Sequence, residues 1–319
     1  MTLANSVPDP DLLPCFRVKI SVAENFRAVF YAPFYALQAL GLAAREGLEI
    51  EWIPGARPGG AIEEVKRGRI DASFGGPMRV LEDRDKHCAS ASSLVCFGQV
   101  VARDPFYLVG KVSAPFELKD LAAMRVGIVS EVPTPWHCLR ADLEDAGVDT
   151  AAMKSAGRFV NGLTMAQQLE ALEAGKLDAA QFFEPYVGRA LAEGVGQILY
   201  AASSRGPCVY TTFICSRDSA SKRREEFAAL TRALQAALDW VAEKGPAELA
   251  RVTAPFFPEV PAPLLREALE RYHRAGLYSR ETKISERGFD RLAYSLRAGG
   301  LIAKSATYAE CVQDFGRPA

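Results

Sequence analysis

Four short stretches carry residue types that suit recognition of a small molecule. Pro133-Thr134-Pro135-Trp136 stands at a strand-to-helix turn. Free backbone N–H groups and the positive helix end bind an anionic group there, and the Thr134 hydroxyl adds a donor. The same residues also suit a plain helix start, with Thr134 as cap and Pro135 at the first helical position. Gly75-Gly76-Pro77 offers a matching turn earlier in the chain, where missing side chains let a ligand approach the backbone; a simple strand-ending turn has the same composition. Asn25 and Phe26 end the first strand and Tyr31 opens the next helix. An amide and two rings there suit a flat ligand, or serve as ordinary core. Phe183 and Glu184 end a later strand. A carboxylate buried at that point favours a cationic or amino-bearing group, or else a salt bridge across a hinge.

Catalytic groups are harder to assemble. His137-Cys138 beside a helix N-terminus is the best nucleophile candidate, because the helix dipole lowers a thiol pKa. Adjacent helical residues point about 100° apart, and no third partner is visible, so no catalytic residue is assigned. His87-Cys88 follows a charged face, and His273 lies among Arg271 and Arg274. Three scattered histidines make no ligand set, so neither a metal nor a cofactor is expected.

The elements that position these residues come in two similar series. Gly68-Arg69-Ile70-Asp71-Ala72 and Gly175-Lys176-Leu177-Asp178-Ala179 are near copies, each following a helical run and leading into a short apolar strand that stops at a proline. The glycines stand where helix C-caps belong. Such a unit, repeated once at long range, predicts two α/β lobes rather than a solenoid. Ligands sit beyond the carboxyl ends of strands in open α/β sheets, so the ends at Gly76 and Glu184 would face one cleft.

In order, the patterning predicts strands at 16–22 and 48–53 flanking a helix over 30–46. The first repeat and a helix to about Lys86 follow, then strands within 89–101 and at 106–109. A crossing is expected at Ser113-Ala114-Pro115. Beyond it come a helical run at 118–121, a strand at 125–129, a helix from Trp136 to Ala146, the second repeat, a helix over 186–192 and a strand at 197–200. Ser203 to Pro207 forms the return crossing, and the strand at 209–214 rejoins the first lobe. Four helical runs then wrap that lobe. The expected division is 16–112 and 208–319 for lobe one, with 113–207 inserted as lobe two, hinging at 111–114 and 203–207.

Composition narrows the partners. The chain has 319 residues, 49% apolar and 24% charged, with a net charge of −1. That is an ordinary globular balance which disfavours nucleic acid and acidic membrane surfaces. No run is long and apolar enough to span a membrane. The seven cysteines, Cys15, Cys88, Cys96, Cys138, Cys208, Cys215 and Cys311, show no metal or haem spacing and suit reduced, buried positions. Residues 1–11 carry two prolines, two aspartates and no Lys or Arg, unlike a secretory leader. As written the protein is expected to be cytoplasmic, or periplasmic if a leader has been removed.

Taken together, Tyr31-Ala32-Pro33-Phe34-Tyr35-Ala36-Leu37, Gly41, Glu46-Gly47-Leu48, the two repeats, Leu118-Lys119-Asp120-Leu121, Arg125-Val126-Gly127 and Glu184-Pro185 resemble a bacterial family. It comprises the substrate-binding proteins of ABC transporters for sulfonates, nitrate, taurine and thiamine-pyrimidine precursors, with the thiamine-pyrimidine synthase-like enzymes beside them. The resemblance implies a type II periplasmic-binding-protein fold whose second lobe is inserted in the first. It also implies a non-catalytic receptor that closes on a small anionic or heteroaromatic ligand and meets an ABC transporter permease. The alternative is a cytoplasmic enzyme on the same scaffold, related to thiamine-pyrimidine biosynthesis. The Cys-Cys-Cys-Phe-Cys motif of the pyrimidine-forming enzyme has no counterpart beyond Cys96-Phe97.

Overall fold

The computed structural model describes residues 18–87, 93–112 and 115–316. Cys15, Cys88, the predicted crossing residues Ser113 and Ala114, and the starts of two predicted strands lie outside them. Among the described residues, ten strands form two five-stranded mixed sheets. The first contains β1 (Val18–Glu24), β2 (Leu48–Ile53), β3 (Ala72–Gly75), β4 (Leu94–Val101) and, from much later in the chain, β10 (Thr211–Ser216), in the order β2-β1-β3-β10-β4. The second contains β5 (Tyr107–Gly110), β6 (Val126–Gly127), β7 (Phe159–Val160), β8 (Ala179–Phe182) and β9 (Gln197–Ala201), in the order β7-β6-β8-β5-β9. The sheets are built alike. In each, three parallel strands carry the βα units, and one antiparallel strand, β10 or β5, separates them from an edge strand.

The repeated motif explains this likeness. Gly68 and Gly175 both adopt φ +69° after helices α3 (Ile62–Lys66) and α7 (Met165–Glu173), a left-handed turn that a side chain would strain. The following aspartate then pins the next parallel strand. Asp71 Oδ2 accepts the Ser21 N–H at 2.8 Å, and Asp178 Oδ2 accepts the Arg125 N–H at 2.7 Å. Asp71 is also paired with Arg223 at 2.5 Å, and Asp178 with Arg125 at 2.9 Å. The copies are therefore sheet-building devices, one per lobe.

Several sequence expectations change. The helix expected over 30–46 breaks at Gly41 into α1 (Ala32–Ala39) and α2 (Leu42–Arg45). Tyr107–Gly110 joins the second sheet, buried between β8 and β9. The outgoing crossing is thus 102–106 rather than 113–115, and the lobe boundary expected at 112/113 moves before β5. Apolar strand composition is the same in either sheet, so only long-range pairing decides this. After α4 (Met78–Lys86), helix α5 runs Pro133–Asp145, starting before Trp136. Its cap position is Val132, so Thr134 is not the cap. A further helix, α6 (Thr150–Ser155), lay unread before α7, and α8 (Tyr186–Ala192) follows β8.

The C-terminal region contains α9 (Arg217–Lys222), α10 (Arg224–Thr253, kinked at Gly245), α11 (Ala262–Arg274), α12 (Glu286–Ala298) and the short α13 (Tyr308–Cys311). It does more than wrap the first sheet. Helix α10 covers α1, but α11 also packs on α8, and α12 packs on both α4 and α5. The largest apolar core runs through both layers, from Ile20, Phe34 and Phe74 to Phe106, Phe182 and Val187.

Candidate functional site

The carboxyl ends of β1 and β3 meet the start of α5 at a small, partly open cavity of about 30 Å³. Asn25, Phe26, Tyr31 and Gly76 line it from the first-sheet side, and Pro133 and Thr134 from the other. Six of the predicted site residues are thus brought together. The approach is close: a Cβ placed on Gly76 would lie 3.9 Å from Thr134 Oγ1 and 3.8 Å from the Tyr210 carbonyl. Asn25 is held by its own bonds, its Oδ1 accepting the Gly59 N–H at 2.7 Å and its Nδ2 donating to the Tyr31 hydroxyl at 3.3 Å.

The sequence reading missed Phe30, Met78, Arg79, Phe106, Val132 and Tyr210 among the lining residues. Tyr210 is the most telling. Its hydroxyl is buried and no described group bonds it, whereas buried donors are nearly always paired. Burial holds the Tyr31 and Tyr210 hydroxyls protonated, well above the usual tyrosine range, so both remain hydrogen-bond donors. Arg79 stands in the first turn of α4 and is paired with Glu82 at 3.1 Å, adding a cation where the α4 and α5 N-termini converge. Position two of a helix beginning at a predicted ligand turn was the signal for Arg79. Tyr210 lay in a run that reads only as a strand.

The anion site expected at α5 is weaker in backbone donors than the turn suggested. Pro133 and Pro135 carry no N–H, leaving Val132 and Thr134 among the unpaired groups of the first turn.

A second, larger groove of about 1040 Å³ opens beside the small cavity and shares Phe26 and Val132 with it. Phe183, Tyr186, Phe256 and Phe257 form its apolar walls. The rings are continuous, with Phe26 and Phe183 centred 6.1 Å apart and Phe30 and Phe183 5.3 Å apart.

Glu184 borders this groove but is already engaged. Its Oε1 receives Arg271 Nε at 2.5 Å, its Oε2 accepts the Gly188 N–H at 3.0 Å, and its own N–H donates to Tyr272 at 2.9 Å. The salt bridge allowed for in the sequence is what forms, with a partner on α11. Burial raises the Glu184 pKa, and Arg271 opposes that shift. Three other predicted residues stand back from both spaces. Gly75 packs against the Asn25 side chain, Pro77 caps α4, and Trp136 packs on Phe159 with centroids 4.6 Å apart.

The candidate nucleophile fails on environment. Cys138 is fully buried, and its hydrogen bond with Cys208, with burial adding to it, keeps the thiol protonated far above its ordinary range. His137 turns away to Gly299, with Nδ1 2.6 Å from that carbonyl. Among the described residues, no three His, Cys, Asp or Glu side chains are grouped to hold a metal ion, and no helix is long and apolar enough to cross a membrane.

Two mixed five-stranded sheets with flanking helices are the α/β architecture of the periplasmic-binding-protein fold. The structure of the periplasmic aliphatic sulphonate binding protein SsuA from Escherichia coli superposes with a TM-score of 0.72 at 15% identity, covering 92% of this chain and 97% of that one. The alkanesulfonate-binding protein SsuA from Xanthomonas axonopodis pv. citri, solved with MOPS, gives 0.70 at 16% identity over 94% and 99%. YtlA of Bacillus subtilis (strain 168) is 20% identical over 308 residues, 92% of this chain and 87% of the relative. The model of the NMT1-like family matches residues 25–254, and the chain belongs to that family.

Proposed function

We propose that this protein is the substrate-binding component of an ABC import system, taking a small organic ligand between its two sheets. The observation that carries this reading is the convergence of Asn25, Tyr31 and Gly76 from one sheet and Thr134 from the start of α5 on one cavity. Tyr210, Tyr31, Thr134 and Arg79 would supply donors to a compact polar or anionic group, such as a sulfonate, a carboxylate or a ring with acceptor nitrogens. The organic body of the ligand would extend into the aromatic groove. The space between Gly76 and Thr134 is narrow, and a ligand of several atoms would widen it by moving the α5 wall away from Gly76. Sulfonate binding by the fold relatives supports the reading, and delivery to a permease would place the protein outside the cytoplasmic membrane. The enzyme alternative draws no support from Cys138, whose thiol is buried and protonated.

Calorimetric titration with alkane- and arylsulfonates, nitrate, aromatic acids and thiamine-pyrimidine precursors tests the assignment. The ligand that binds should lose roughly 3- to 10-fold in affinity for each neutral hydrogen bond removed by Tyr210→Phe or Thr134→Val. Unchanged affinity in the double variant would place the ligand elsewhere.

A further inference from the structure

The large groove beside the small cavity has a charge pattern that the anion-binding features of the inner site do not explain. Glu131, Glu193, Glu259 and Glu267 stand around its aromatic walls. Both lining arginines are already committed. Arg27 makes a bidentate pair with Glu24 at 2.7 and 3.0 Å, and its guanidinium lies 5.6 Å from the centre of the Phe256 ring. Arg189 is 3.8 Å from Glu193 and 5.7 Å from the centre of the Tyr186 ring. Glu184 is neutralised by Arg271. That leaves Glu131, Glu259 and Glu267 with no salt bridge among the described residues. Glu131 accepts only the Met165 N–H, at 3.1 Å.

Glu131 and Glu259, with Glu267 only partly offset by the nearby Arg271, give the groove a net negative potential beside low-dielectric walls. Its rings already face guanidinium groups at two places, so the walls are suited to cations. We propose that the groove takes an organic cation, a protonated or quaternary amine carried on an aromatic or alkyl body. Apolar burial would hold the body, and Glu259 and Glu267 would face the charge. The inference rests on the cleft being a receptor site, and it narrows the ligand to one that is positively charged at its groove end.

The test uses one body with three heads: phenethyltrimethylammonium, 2-phenylethanol and 2-phenylethanesulfonate, each titrated calorimetrically at low and high salt. The ammonium should bind about tenfold more tightly than the alcohol at low salt. That advantage should shrink at high salt and vanish in the Glu259→Gln/Glu267→Gln variant, whose fold is checked by circular dichroism. Both residues are exposed, so the variant removes charge without opening a core. Equal affinity for the ammonium and the alcohol, tighter binding of the sulfonate, or a preference that survives the double variant would overturn the proposal. Thr134→Val separates the two readings. Absence of any cation preference in the wild type, with an intact Thr134 effect on inner-site ligands, would reject this proposal alone.

Discussion

Arg205 provides the sharpest test of how the two sheets are joined. It lies on the return crossing, and its guanidinium reaches Asp104 of the outgoing crossing at 2.9 Å and Asp142 of α5 at 2.7 Å through Nε, with a second contact to Asp142 through Nη2. The side chains of Arg205, Asp104 and Asp142 are 1%, 1% and 4% exposed, so the charges have little access to water. Replacing Arg205 by Met keeps most of the volume but strands two carboxylates. Asp104 retains one N–H, from Phe106 at 3.0 Å, while Asp142 retains Tyr200 at 2.9 Å and the more distant Arg291. Removing one partner of such a buried cluster costs about 3–5 kcal/mol, a large share of the roughly 5–15 kcal/mol typical of folded proteins. Burial already outweighs Arg205 and holds the Asp104 pKa above its ordinary value, and in the variant it rises further. A group whose folded pKa is raised stabilises the fold below its unfolded pKa, about 3.9 for Asp, and loses that contribution as pH rises through the folded value. The deficit of Arg205→Met should therefore be larger at pH 8 than at pH 5 in urea unfolding followed by circular dichroism. Adding Asp104→Asn and Asp142→Asn should recover part of it. A deficit below about 1 kcal/mol that does not change with pH would refute the account of this cluster.

Three further outcomes follow from the same geometry. Gly299→Ala would place a Cβ 2.2 Å from the His137 carbonyl, prying α12 from α5 at a cost of about 1–3 kcal/mol, measured as a lowered urea midpoint. Burial lowers the His137 pKa; a depressed histidine contributes stability above its unfolded pKa, about 6.5, and that contribution falls away with acidification. The stability difference between the wild type and His137→Asn should hold steady above pH 6.5 and shrink below it, and a pH-independent difference would count against the packing described. If the repeated aspartates do the same work in both sheets, Asp71→Ala and Asp178→Ala should each speed hydrogen exchange of the N–H they bind, at Ser21 and Arg125. An effect at only one of them would break the equivalence.

What the sequence made legible was whatever local pattern controls. The paired Gly-basic-aliphatic-Asp-Ala segments announced two similar sheets because a left-handed turn and a strand-pinning carboxylate are each specified within a few residues. The inner site was partly legible for the same reason, since Asn25, Gly76 and Thr134 sit at strand ends and helix starts that turn chemistry reveals. Pairing between distant segments was not legible. Nothing in Tyr107–Gly110 says that it belongs between β8 and β9, and nothing near Glu184 says that Arg271, on a helix read as wrapping the other lobe, will take its carboxylate. That bond also bears on motion. Helix α11 meets the end of β8 through Glu184, α12 meets α5 through the His137 contact with Gly299, and Arg205 ties the two crossings together. If ligand entry parts the sheets about the two crossings, as proposed, these contacts must move along or break. A ligand that parts Gly76 from Thr134 must therefore work against both C-terminal clasps, and Gly299→Ala, which loosens one of them, should ease its entry and raise its association rate.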